Sequence, residues 1–190
     1  MLPHNIVTDA RLAQEAVVRV LSPKPMEKRF GLIWIFLISL FTQAQPMIGD
    51  ILASHNTGEI PYVRVSEIDS LKTHVIFLDA REPAEYEVSH IEHAIHVGFN
   101  NFDLNTISRQ IPDKKHTIIV YCSIGVRSEI IGERLKSVGY TSVFNLYGGI
   151  FEWVNQGFPI YKGQQQPTDS VHAYSIRWGK WLTRGNKVYD

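Results

Sequence analysis

Cysteine is almost missing from this chain of 190 residues: Cys122 is the only one. A single thiol excludes an intramolecular disulfide and any metal site built from several cysteines, so this thiol is either free or used. Charge of one sign is lacking as well. Lys plus Arg and Asp plus Glu number 19 each, which removes any whole-chain attraction to nucleic acid or to an anionic membrane surface. A long hydrophobic run is also lacking, since the apolar stretch from Phe30 to Phe41 is too short for a comfortable membrane span. No internal repeat is present. What remains is 44% hydrophobic and 20% charged, the make-up of an ordinary globular chain with room for one domain and a real core.

The stretch "MEKRFGLIWIFLISLFTQAQP" places Lys28 and Arg29 ahead of that apolar run, the layout of a secretory signal peptide. Ala44, with the small Thr42 two residues before it, offers a cleavage point that leaves Gln45 and Pro46 at the mature start. Residues 26–44 are therefore expected to be a signal peptide that exports the protein, to the periplasm in a bacterium. The 25 residues before Met26 are more than such peptides usually carry. Either translation starts at Met26 and residues 1–25 are extra, or residues 30–41 stay uncleaved as an N-terminal anchor.

Residues 45–61 form a lead-in, after which apolar, β-branched runs alternate with helical patterns. Tyr62 to Val65 reads as a short strand, with Ser66 as a helix cap and Glu67 and Asp69 in the first turn. "VIFLDA" and "TIIVYC" read as buried strands, "TSVFNLYGG" as a further one. Between them, "REPAEYEVSH" with Pro83, "NNFDLNTISRQI" and "RSEIIGERLKSVGY" read as helices, and "IFEWVNQG" as one more. Such alternation predicts an α/β fold with a mostly parallel central sheet and helices on both faces. The domain is expected over residues 62–160. In residues 161–190, "KGQQQPTDS" reads as a polar linker and the rest as an aromatic, basic extension with Tyr174, Trp178 and Trp181 at helical spacing. That stripe is expected to dock on its own domain, and a partner-binding helix is the alternative.

Cys122 falls at the C-terminal tip of a buried strand, where open α/β sheets place their ligands. A helix starting at Ser128 directs unpartnered N–H groups and a partial positive charge at the loop from Cys122 to Arg127. Arg127 adds a cation, and Gly125 permits the backbone angles of a compact anion nest. A thiol held there should ionise more easily, its pKa falling from about 8.5 toward the ~3.5 to 7.5 found beside cations and helix N-termini.

"DAREPAEYEVSHIEHAIHV", "IIVYCSIGVRSE" and "NLYGGIFEWVNQGFP", in this order and spacing, resemble the three signature blocks of a single-domain rhodanese, a sulfurtransferase. The resemblance covers about Val63 to Pro159. It implies the rhodanese-like three-layer fold and makes Cys122 the nucleophile that takes up a sulfane sulfur as a persulfide and hands it on, a ping-pong covalent route. Ser123, Ile124, Gly125, Val126, Arg127 and Ser128 would bind the substrate. Asp79 and Arg81 would brace the loop, a purely structural ion pair being the alternative. His90 and Ala94 fit the family's H-I-x-x-A segment, whereas His93 stands where the family usually shows glycine. His90, His93 and His96 lack an acidic or cysteine partner at a recognised spacing, so no metal is expected, and no cofactor is implied. Gly148 and Gly149 resemble the paired glycines ahead of the last helix.

The implied partners are a small sulfur donor, thiosulfate or a persulfide, and a thiol or cyanide acceptor. No nucleic acid is implied, membrane contact would come only through the N-terminal segment, and the aromatic tail leaves a protein partner open. With Ile124 and Val126 apolar, Arg127 is the loop's only charge, whereas relatives that prefer dianionic thiosulfate line it with more. Two other functions stay open: a non-catalytic binding module of the same fold, and a cysteine-based phosphatase or arsenate reductase. The latter relatives have a C-x5-R loop, one residue longer than the six-residue C-x4-R loop here.

Overall fold

The computed structural model describes residues 47–71 and 74–189, all within one compact unit, Pro46–Asp190. The expected signal segment and the residues before it lie outside the described residues. Among the described residues no helix is long and apolar enough to cross a membrane.

Helix α1 (Ile48–His55) leads into strand β1 (Tyr62–Val63), then a 3-10 helix (Val65–Leu71) and β2 (Val75–Asp79). Helix α2 (Pro83–Val88), β3 (Ile95–His96), α3 (Leu104–Gln110), β4 (Thr117–Tyr121), α4 (Arg127–Ser137), β5 (Val143–Leu146) and α5 (Gly149–Asn155) follow. Five parallel strands pair in the order β1-β5-β4-β2-β3. β4 is central and buried from Ile118 to Tyr121, so its side chains feed two cores by alternation. Ile119 and Tyr121 face a core shared with α1, the 3-10 helix and α5, while Ile118 and Val120 face one shared with α3 and α4. β2 and β4 are neighbours, and the chain leaves them in opposite directions, toward β3 and β5. Their carboxyl ends therefore flank the crevice where such sheets hold ligands.

Local differences from the sequence reading have identifiable causes. The turn after β1 is 3-10, not α, and Ser66 does not cap it; the Glu67 carboxylate instead accepts from the Arg64 N–H at 2.8 Å. Helix α4 begins at Arg127, one residue earlier than expected. His93, at the place where the resemblance leads one to expect glycine, adopts φ 55°, a left-handed turn that is strained for histidine.

The segment that reads as a linker forms a hairpin, β6 (Ile160–Lys162) with β7 (Gln166–Thr168). After it, β8 (Ser170–His172) pairs with β9 (Asn186–Val188) around a four-residue helix α6 (Ile176–Gly179). Val171, Ala173 and Leu182 are buried in the same core as α5, with Trp178 and Trp181 packed against it. The aromatic residues form no helical stripe: Tyr174 precedes α6 with φ 63°, and Trp181 lies beyond its end. Buried contacts, not helical periodicity, set their spacing.

Candidate active site

Cys122 follows β4 directly and is 1% exposed. The loop curls so that the Gly125 N–H points back at Sγ, 3.1 Å away, and the Ser128 hydroxyl lies 3.6 Å from it. Gly125 supplies the curl with φ 113°, and a Cβ there would press on Leu52 of α1. Burial opposes ionisation of the thiol. The positive charge of Arg127 and the N–H groups of Ser128 and Gly125 outweigh it, so the Cys122 pKa lies below its ordinary value.

Arg127 is not the free cation that the sequence implies. Its Nη1 donates to Glu85 Oε2 at 2.6 Å and its Nη2 to Glu85 Oε1 at 2.8 Å, a bidentate pair across the β2–β4 crevice. Ser123 ties the two together: its hydroxyl donates to Glu85 Oε1 and accepts from Arg127 Nη2, both at 3.0 Å. Burial works against the Glu85 charge, but the guanidinium of Arg127 holds its carboxyl below the usual range and in turn has its own pKa raised. Glu85 also accepts from the Glu82 N–H at 3.0 Å, closing the first turn of α2. In sequence it reads only as a helix-opening acid, because its ion pair depends on a contact 42 residues away in the chain.

A second polar residue missed at first is Asn145, fully buried in β5. Its Nδ2 donates to the Gly125 carbonyl at 2.8 Å and to Glu129 Oε2 at 2.9 Å, and its Oδ1 accepts from Ser128 Oγ at 2.8 Å. Asn56, just after α1, donates to the same Gly125 carbonyl at 2.9 Å. An asparagine inside an otherwise apolar parallel strand was the available signal, because such a group must find partners. From the other side, the N–H groups of Ile150 and Phe151 in α5 bind the carbonyls of Cys122 (2.9 Å) and Ser123 (3.2 Å). Gly149 is required there, since a Cβ would sit 2.3 Å from the Cys122 carbonyl oxygen.

Above the thiol lies an open cavity of about 140 Å³. Of the residues expected to meet a substrate, Cys122, Ser123, Ile124, Val126 and Arg127 line it, while Gly125 and Ser128 stand behind the sulfur. His55, Tyr174 and Trp178 complete the wall, three residues that sequence spacing did not connect to the site. Asp79 and Arg81 do not reach the cavity. They form a fully buried pair, Arg81 Nη2 to Asp79 Oδ2 at 2.6 Å, with Nη2 also on the Ser89 carbonyl and the guanidinium over the Tyr121 ring. They thus brace the end of β4 that carries the loop. His90 and His96 flank the Tyr86 ring and contact the carbonyls of Tyr86 and Arg81, while the His93 side chain is exposed. The three histidines do not converge.

Residues 65–156 match the Rhodanese-like domain family. The tRNA uridine(34) hydroxylase of Erwinia tasmaniensis is 29% identical over 118 residues, 54% of this chain and 32% of that protein. The enzyme of the same name from Photorhabdus laumondii is 31% identical over 113 residues, 55% of this chain and 32% of that protein. The chain thus spans about a third of the length of these curated relatives. Among solved structures, a thiosulfate sulfurtransferase from Pseudomonas aeruginosa superimposes with a TM-score of 0.50 at 25% identity, over 65% of this chain and 23% of that one. Fold, loop and matched segment agree, and residues 65–156 form a rhodanese-like domain.

Proposed function

We propose that the protein is a sulfurtransferase that carries sulfur on Cys122. One observation supports this above the others: a thiol with a lowered pKa sits on the floor of an open cavity, with the Gly125 N–H on its sulfur and Arg127 beside it. In the first half-reaction the Cys122 thiolate attacks the outer, sulfane sulfur of a donor. The donor's S–S bond breaks, the leaving group departs with the bonding electrons, and Cys122 is left as a persulfide anion. In the second half-reaction an acceptor thiolate or cyanide attacks the terminal sulfur and the Cys122 thiolate is regenerated. Negative charge stays at the sulfur throughout, where the loop N–H groups and Arg127 stabilise it. The amides point into a loop closed after six residues, a cradle of a size for one added sulfur rather than a tetrahedral phosphate.

Intact-mass measurement after treatment with sulfane donors tests the proposal. The expected product is one added sulfur that Cys122→Ser eliminates and that cyanide removes as thiocyanate. A protein that stays unmodified by thiosulfate, thiosulfonates and persulfides alike would be a binding module, and one that hydrolyses phenyl phosphate faster than it moves sulfur would be a phosphatase.

A further inference from the structure

Part of the cavity wall comes from outside the family segment: residues 65–156 match the family, whereas His55 precedes it and Tyr174 and Trp178 belong to the C-terminal extension. We propose that Tyr174 and Trp178 select a sulfur donor bearing a single negative charge and a flat apolar group, such as an aryl thiosulfonate, over the inorganic dianion thiosulfate. This rests on the sulfurtransferase reading of Cys122 and adds the class of donor.

Three features of the wall support it. The first is charge. Among the described residues Arg127 is the only Lys or Arg that lines the cavity, and its Nη1 and Nη2 are both engaged by Glu85 at 2.6 and 2.8 Å. A dianion entering would lose much of its hydration to meet one cation whose charge is already shared with Glu85, an unfavourable exchange that a monoanion suffers far less. The second is shape. Ile124, Val126, Tyr174 and Trp178 line the cavity together, and a volume of about 140 Å³ matches the ~150 Å³ of an apolar cavity known to take up benzene.

The third is placement. Tyr174 is 51% exposed yet not loose: its ring lies 5.1 Å from the Arg127 guanidinium, its N–H donates to His172 Nδ1 at 3.2 Å, and Ala173 before it is buried. Its backbone is held at φ 63°, a strained angle for a tyrosine and one that persists where the surroundings over-determine it.

The reaction balances for the proposed donor. The Cys122 thiolate attacks the terminal sulfur of R–SO2–S⁻, the S–S bond breaks, a sulfinate R–SO2⁻ leaves with the electron pair, and Cys122 becomes the persulfide anion. Cyanide then takes the sulfur as thiocyanate.

The test measures kcat/KM for thiocyanate formation by the purified full chain with benzenethiosulfonate, methanethiosulfonate and thiosulfate, with intact-mass detection of the Cys122 persulfide in parallel. The methyl compound shares the single charge and lacks the ring, so the two ratios separate charge from stacking. The expected order is benzenethiosulfonate, then methanethiosulfonate, then thiosulfate, with about tenfold between the two thiosulfonates from ring contact. Tyr174→Gly, in which glycine adopts φ 63° without strain, should collapse that tenfold ratio, and Trp178→Leu should lower it. Thiosulfate serving as well as either thiosulfonate, or a thiosulfonate ratio unmoved by both substitutions, overturns the inference and leaves sulfur transfer standing. Absence of a Cys122 persulfide from every donor removes the sulfurtransferase reading, and this inference with it.

Discussion

At the scale of single residues, the site is an argument between burial and charge. Cys122 and Glu85 are both buried, which disfavours their anions, and Arg127 reverses the outcome for each. The rate of Cys122 alkylation by iodoacetamide should therefore rise with pH through a midpoint below the ~8.5 of a free thiol. The double variant Glu85→Gln/Arg127→Gln removes the pair together and should move that midpoint upward. For Glu85 the sign runs as for any depressed carboxyl. An unfolded chain protonates it near ~4.3, the folded one only at lower pH, so its stabilisation is present above that value and lost as pH falls through the folded pKa. Glu85→Gln leaves the partly buried Arg127 without its partner and should cost about 3 kcal/mol at neutral pH in urea unfolding. The same variant should lose less further stability on acidification than the wild type.

Elements matter here chiefly through their ends. The tip of β4 delivers the thiol, the start of α4 supplies the Ser128 N–H, and the start of α5 holds the carbonyls of Cys122 and Ser123. A loop gripped from both sides in this way has little freedom to widen. Gly149→Ala places a methyl carbon where 2.3 Å separates it from the Cys122 carbonyl oxygen, at φ 56°. We expect a loss of about 2 to 4 kcal/mol, the sum of overpacking and a left-handed alanine. Because the carbonyl must move, the midpoint of Cys122 alkylation should shift as well. A stability loss with the thiol titration unchanged would show that α5 does not hold the loop.

For the molecule as a whole, the C-terminal extension is part of the core rather than an appendage. Leu182 and Val171 are fully buried against Val154 and Phe151 of α5, in the cluster that also contains Ile124 of the loop. Leu182→Ala should therefore destabilise the whole domain by about 2 to 5 kcal/mol, as truncation in a packed core does. It should do so in a single unfolding transition followed by both fluorescence and circular dichroism. A separate low-stability transition confined to the tryptophans would mean that the extension docks as an independent piece.

Much of this protein was legible in its sequence because the relevant information is local. Apolar runs of strand length alternating with helical periodicity carry the parallel α/β sheet, since each element needs only its own pattern to declare which face it buries. A lone cysteine at the end of such a strand, followed by a glycine, an arginine and a helix start, specifies the thiol loop for the same reason. What sequence could not decide are contacts between residues far apart in the chain. Glu85 meets Arg127 only because α2 and α4 flank one crevice, and Asn145 reaches Gly125 only because β5 lies beside β4. Polar residues of these types occur on any helix or strand, and nothing in their immediate neighbours marks a distant partner. The extension misleads for the opposite reason: Tyr174, Trp178 and Trp181 fall at a helical interval, yet burial of Val171, Ala173 and Leu182 fixes the path of the chain and brings Tyr174 and Trp178 into the wall of the Cys122 cavity. Packing a tail into a core is a global free-energy choice, and only the assembled fold makes it.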